Sequence, residues 1–138
     1  MSNTTTTTAA NVKTVSTGEL RDLLNNKRPI QFWNVLTDKY FKGENISGSR
    51  RVPLDRIGNE VRSTNLPKST DIVVYCGGPE CPMSRLAAEK LIKFGYDNVR
   101  AYEGGLEEWK NAGNQIERLG QAGAASTALR APERLGQV

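Results

Sequence analysis

The two cysteines of the chain, Cys76 and Cys81, lie in one short loop with four residues between them. The loop follows the apolar run 72–75, which is typical of a buried strand, and precedes apolar residues at helical spacing from Ser84 onwards. A thiol between a strand end and a helix start meets unpaired backbone N–H groups and the positive end of the helix dipole. This environment favours the thiolate and a neighbouring anion, so the loop is a candidate site of sulfur chemistry.

The chain contains no histidine, which excludes several types of catalysis at this site. Without an imidazole there is no Ser–His or Cys–His catalysis and no usual general base near neutral pH. Two cysteines alone also fall short of a zinc site, so we expect neither a metal nor another cofactor. Any reaction must rely on sulfur, backbone amides, Arg and Lys, or carboxylates.

The composition indicates a single domain, since the chain has 138 residues of which 37% are hydrophobic. The net charge of +4 is mild and no basic run is interleaved with aromatics, so we expect no nucleic-acid partner. No apolar run is long enough to span a membrane, and the threonine-rich start lacks the apolar core of a secretory signal. We therefore expect a cytoplasmic location and no membrane partner.

Strand patterns alternate with helix patterns along the chain. Strands are expected at 12–15, 30–35, 72–75, 98–102 and 115–119, and helices at 16–26, 84–94 and 106–111. This alternation predicts an α/β fold with a mostly parallel central sheet of about five strands, flanked by helices on both faces. In such sheets ligands bind at the carboxyl ends of the strands, which is where Cys76 falls.

The remaining segments carry weaker patterns. We expect a helical turn at 37–41, which would bury Tyr40 and Phe41, a loop at 43–48 and a weak helix at 57–61. Residues 1–11 and 120–138 are too polar and simple in composition to pack, so we expect a disordered leader and tail around a domain at 12–119.

Three stretches resemble the rhodanese-like (sulfurtransferase-homology) domain family, over roughly residues 12–117. They are the strand, loop and helix at 73–91, the motif from Gly95 to Trp109, which matches G-[FY]-x-x-V followed by G-G-x-x-x-W, and the weaker segment 48–54. The resemblance implies a single-domain rhodanese-like fold. The loop itself is similar to the C-x4-C-P-x-S variant found in a subset of that family.

The resemblance also implies an activity. In this family the cysteine that directly follows the central strand, here Cys76, carries a persulfide and passes its outer sulfur to a thiophilic acceptor. The implied donor is a small anion such as thiosulfate, and the implied acceptor is a thiol or a protein. By position, the substrate-binding residues would be those of the loop and the first helical turn, Gly77, Gly78, Glu80, Met83, Ser84 and Arg85.

Several positions depart from the family pattern. Seven residues separate Cys76 from Ser84 where the family usually has five, and Met83 replaces the loop arginine. The usual Asp, Arg and His elsewhere are replaced by residues that carry no charge, Asn34, Leu36 and Asn45.

Several assignments therefore stay open. Cys76 is either the reactive thiol or a small buried core residue that closes the strand. Cys81 is an alternative active cysteine, a resolving thiol that forms a disulfide with Cys76, or a bystander. Arg85 is either a solvated side chain or an anion clamp over the thiolate. The alternative function is a non-catalytic binding or thiol-redox-sensing module that uses the two cysteines.

Overall fold

The structure, a computed structural model, describes residues 12–26 and 29–118. In chain order the elements are β1 (Lys13–Thr14), α1 (Thr17–Asn25), β2 (Ile30–Asn34), β3 (Glu44–Ile46), β4 (Arg50–Arg51), a 3-10 helix (Leu54–Arg56), α2 (Ile57–Thr64), β5 (Asp71–Tyr75), α3 (Met83–Lys93), β6 (Val99–Tyr102), α4 (Gly105–Asn111) and β7 (Ile116–Arg118). The leader and tail expected at 1–11 and 120–138 lie outside the described residues.

The main sheet has five parallel strands in the order β1-β6-β5-β2-β4. The central strand β5 pairs with β2 on one side and with β6 on the other. Its last four residues, 72–75, are all fully buried. Because successive side chains of a strand point to opposite faces, this burial means that the sheet is covered on both faces. The predicted α/β fold with its parallel central sheet is confirmed.

A second, smaller sheet was not predicted. Residues 43–48 were expected to form a loop, but β3 lies there and pairs antiparallel with β7, with Ile46 opposite Ile116. The strand expected at 115–119 therefore exists, but it belongs to this two-stranded sheet. Strands of three residues are too short for a period-2 pattern to be detected, which explains why the pairing was missed.

The connecting segments differ from expectation in two further ways. The turn at 37–41 forms, with the backbone N–H groups of Tyr40 and Phe41 donating to the carbonyl of Thr37, yet Tyr40 remains 50% exposed. Helix α2 is longer than the expected weak helix and buries Ile57 and Val61. Within the described residues, no helix is both long and apolar enough to cross a bilayer.

Candidate active site

The two cysteines meet at the carboxyl end of the central strand. Cys76 directly follows β5, and its sulfur is joined to that of Cys81 in a disulfide whose Cα atoms are 6.4 Å apart. Cys76 is only 1% exposed and belongs to the hydrophobic core, whereas Cys81 is partly exposed. The Sγ atom of Cys76 also lies 3.4 Å from the carbonyl oxygen of Cys81. The loop thus contains one buried cysteine and one that is partly exposed.

The start of helix α4 holds this loop in place. The backbone N–H of Leu106 donates to the carbonyl of Cys76 at 3.0 Å, and that of Glu107 donates to the carbonyl of Gly77 at 2.9 Å. The two backbones come this close because Gly105 has no side chain. A Cβ atom there would lie 2.6 Å from the Cys76 carbonyl oxygen, and its φ of +61° is one that glycine adopts most readily.

The loop leads into helix α3 without a capping side chain. Pro82 is the N-cap residue and accepts no hydrogen bond through its side chain, so the first-turn N–H groups have no such partner. Ser84, in this first turn, is fully buried, and its hydroxyl has no hydrogen-bond partner among the described residues. Cys81 immediately precedes this uncapped, electropositive helix end.

A cavity of about 700 Å³ opens beside the cysteine loop. Its wall includes residues that follow the carboxyl ends of β2, β5 and β6, namely Leu36, Gly77 and Leu106, so it occupies the edge of the sheet expected for a ligand. The full lining is Leu36, Tyr40, Lys42, Glu44, Gly77, Cys81, Pro82, Met83, Leu106, Glu107, Lys110 and Asn111.

Only some of the residues predicted from the sequence line this cavity. Cys81, Gly77 and Met83 do. The other predicted residues are absent from the described part of its wall: Cys76, Gly78 and Ser84 are buried, and Glu80 and Arg85 are exposed. Tyr40 and Lys110 line it although sequence reasoning did not select them. Lys42 lines it too; from the sequence it belongs to a basic group with Arg50, Arg51 and Arg56 that is either a solvated face or a means of steering an anionic donor or an acidic partner toward the loop. The one signal for Tyr40 was its position in the connection after β2, whose strand ends at the same edge.

Charges of both signs line the cavity. Lys110 donates to Glu44 at 3.0 Å, and Arg118 donates to the same carboxylate at 2.7 Å. The hydrogen bond from Lys110 is the main reason why the pKa of Glu44 lies below its ordinary value. Lys42 is exposed and takes part in none of the ion pairs between described residues. Its ammonium group is therefore available to an anion that enters.

Arg85 has a partner of its own. Its guanidinium donates to Glu103 at 2.5 Å, and both side chains are more than one-third exposed. This placement agrees with the interpretation of Arg85 as a solvated surface side chain, because the ion pair with Glu103 already balances its charge.

The residues that replace the usual charged ones form a closed hydrogen-bond network. The Asn34 amide donates to Asn45 Oδ1 at 2.8 Å and to the carbonyl of Glu44 at 3.2 Å, and it accepts from the Leu36 N–H at 3.0 Å. Both asparagines are buried. These hydrogen bonds hold β3 against the end of β2, and the Asn34 amide finds its partners within the protein.

Tyr75 extends this network at the last position of β5. Its hydroxyl accepts from the Ile46 N–H at 2.8 Å and lies 2.7 Å from the Ser49 hydroxyl. Burial raises the pKa of Tyr75 to about 12. The hydroxyl therefore remains neutral and positions β3, whose Glu44 lines the cavity. An aromatic residue in a buried strand gives no sequence signal of this role.

Similarity to known proteins agrees with the geometry. Solved structures that resemble the chain include a protein from Bacillus halodurans, with 25% identity, a TM-score of 0.68 and 77% of each chain covered. They also include the rhodanese-like domain of an Anabaena protein, with 24% identity, a TM-score of 0.67, and 88% of this chain and 92% of that chain covered. The thiosulfate sulfurtransferase of Pseudomonas aeruginosa has 19% identity and a TM-score of 0.69, and the match covers 91% of this chain but 24% of that one.

No curated protein matches the chain. The family model described as the rhodanese-like domain matches residues 16–112, which is more than half of the chain. With the five-stranded parallel sheet and the cysteine loop at its carboxyl edge, the chain belongs to the rhodanese-like domain family.

Proposed function

We propose that the chain is a sulfurtransferase or persulfide carrier, which accepts a sulfane sulfur from a donor such as thiosulfate and passes it to a thiophilic acceptor. The observation that carries the proposal is the presence of Cys81 in the wall of an open cavity at the carboxyl edge of the sheet. Membership of the rhodanese-like family supports it. The Pseudomonas aeruginosa sulfurtransferase shares the fold, which is consistent with this activity.

The sequence favoured Cys76 as the persulfide site, with Cys81 as the alternative, but we propose Cys81 because of its exposure. A donor that enters the cavity meets Cys81 in its wall, whereas Cys76 is 1% exposed. Cys81 also precedes the uncapped start of α3, where N–H groups and the helix dipole stabilise an anionic sulfur. In this assignment Cys76 is the second thiol, which is buried and lies next to Cys81.

The transfer needs only displacement steps at sulfur. The Cys81 thiolate attacks the outer sulfur of thiosulfate, the new S–S bond forms, and sulfite leaves with the electrons of the broken bond. The acceptor, a thiol or cyanide, then attacks the outer sulfur of the persulfide and releases the thiolate. The disulfide of the structure must be reduced first, so we propose a reducing compartment such as the cytoplasm.

Few charged groups in the cavity wall are available to bind an anionic donor. Lys42, in the same wall as Cys81, has an ammonium group with no ion-pair partner among residues 12–26 and 29–118, while Lys110 is paired with Glu44. Apolar side chains, among them Leu36 and Leu106, make up much of the rest. At about 700 Å³ the cavity has room for more than a thiosulfate ion, which is consistent with an acceptor thiol binding there as well.

Formation of thiocyanate from thiosulfate and cyanide tests the proposal. The wild type, Cys76→Ser and Cys81→Ser are assayed after reduction and removal of the reductant. We expect thiocyanate formation by Cys76→Ser and its loss in Cys81→Ser. The opposite pattern would move the persulfide to Cys76, and no thiocyanate from any of the three proteins would refute the proposed activity.

The disulfide itself favours a second candidate function, a thiol-redox-sensing module. Such a module would form the Cys76–Cys81 bond with a mild oxidant and would produce no thiocyanate. The thiocyanate assay therefore separates the two candidates, because only a sulfurtransferase turns over in it.

A further inference from the structure

In the part of the chain that the structure describes, the buried sulfur of Cys76 has one reaction partner, the sulfur of Cys81. The Cys76 side chain is 1% exposed, so a dissolved acceptor or reductant does not contact it. The Cys81 sulfur lies directly against it in the disulfide. Any covalent chemistry of Cys76 in the folded protein therefore passes through Cys81.

The backbone keeps the loop in the conformation that brings the two sulfurs together. The N–H of Cys81 donates to the carbonyl of Gly78 at 3.0 Å, and α4 holds the carbonyls of Cys76 and Gly77. These hydrogen bonds do not depend on the disulfide. The Cα separation of 6.4 Å lies within the range that disulfides span. The reduced pair is thus positioned to close without a rearrangement of the fold.

We propose that the chain has a further activity, the reduction of a bound sulfane sulfur to hydrosulfide, in which Cys76 resolves the persulfide carried by Cys81. The inference rests on the proposed function, because it begins from that persulfide. The Cys76 sulfur attacks the inner sulfur of the persulfide from the buried side. The outer sulfur leaves into the cavity, on the opposite side of Cys81.

The step balances within the protein. The Cys76–Cys81 bond forms and the bond between Cys81 and the outer sulfur breaks, with its electron pair going to the outer sulfur. The proton of the Cys76 thiol leaves with that sulfur as HS⁻, so no separate base is needed in a chain that lacks histidine. The sulfane sulfur is reduced to sulfide, and the two cysteines become the disulfide seen in the structure.

A dithiol reductant closes the cycle. It attacks the Cys81 sulfur through the cavity, forms a mixed disulfide with it and frees the Cys76 thiol, and its second thiol then releases Cys81. The sum of the steps converts thiosulfate and a dithiol into sulfite, hydrosulfide and the oxidised dithiol.

A single-turnover experiment without oxygen tests this inference. The full chain is reduced, freed of reductant and mixed with thiosulfate, and sulfide and intact mass are then measured after alkylation. The wild type is expected to release one sulfide per chain and to lose its two free thiols to a disulfide. Cys76→Ser is expected to keep one added sulfur and to release no sulfide. Cys76→Ala is studied in parallel, since a buried serine hydroxyl without a hydrogen-bond partner destabilises the fold.

The outcomes separate the two proposals. If the Cys76 variants take up sulfur and the wild type also keeps its added sulfur without releasing sulfide, the reductive step is overturned and the sulfurtransferase proposal stands. If neither Cys76 variant nor Cys81→Ser takes up sulfur, the proposed function fails and the reductive step fails with it. Sulfide release by the Cys76 variants at the wild-type rate would also contradict a resolving role for Cys76.

Discussion

The contact between Gly105 and the cysteine loop allows a prediction with a matched control. An alanine at this position adopts a left-handed φ, at a cost of about 1–2 kcal/mol. Its Cβ atom also meets the carbonyl oxygen of Cys76 at 2.6 Å and the nitrogen of Gly78 at 2.7 Å. These are backbone atoms that move only with the loop, so overpacking adds about 1–3 kcal/mol. Gly105→Ala is therefore expected to lower the free energy of unfolding by about 2–5 kcal/mol.

Gly113→Ala is the control for this substitution. Gly113 also has a left-handed φ, of +81°, but a Cβ atom there has no neighbour within 4 Å. It should carry the conformational cost alone, about 1–2 kcal/mol. Urea unfolding of the reduced proteins measures both. If the two variants lose equal stability, the close approach of α4 to the cysteine loop is refuted.

Three further predictions concern the surroundings of the loop. The pKa of Tyr75 is about 12 in the folded protein, against about 10 in the unfolded chain. The neutral hydroxyl therefore contributes its full stabilisation below pH 10, where the unfolded tyrosine is also neutral, and this contribution is lost between pH 10 and 12. The stability difference between wild type and Tyr75→Phe in urea should therefore shrink by up to about 3 kcal/mol over that range, and a constant difference would contradict it. Asn34→Asp places a carboxylate against Asn45 Oδ1 and should lower the free energy of unfolding in urea by about 1–3 kcal/mol or more. The loss should be smaller at low pH, and an unchanged free energy of unfolding would contradict the network. Arg85→Gln removes only the exposed pair with Glu103, so it should change stability by less than about 1 kcal/mol and leave thiocyanate formation unchanged. A large loss of thiocyanate would instead support an anion clamp.

The parts of the fold that the sequence predicts are those with strong local patterns. The buried run before Cys76 and the helical spacing after Ser84 located β5 and α3 to within a residue. The Ser16 capping box was also recognisable, because its two hydrogen bonds join residues three apart. Such features depend on neighbours in the chain, so they can be identified without knowledge of the tertiary structure.

The parts that were missed depend on contacts between distant segments. The pairing of β3 with β7 joins residues about seventy positions apart, and the three residues of β3 carry no strand pattern of their own. The role of Gly105 arises only when α4 meets the loop after β5. Likewise, the spacing of Cys76 and Cys81 permits contact between them, but it carries no information on which of the two lines a cavity.

The most direct test of a persulfide on the cavity-facing cysteine is the intact mass of reduced Cys76→Ser after incubation with thiosulfate. We predict the gain of a single sulfur atom, which cyanide then removes and which Cys81→Ser does not show. An unchanged mass for Cys76→Ser, or a gain that appears only in Cys81→Ser, would contradict the assignment.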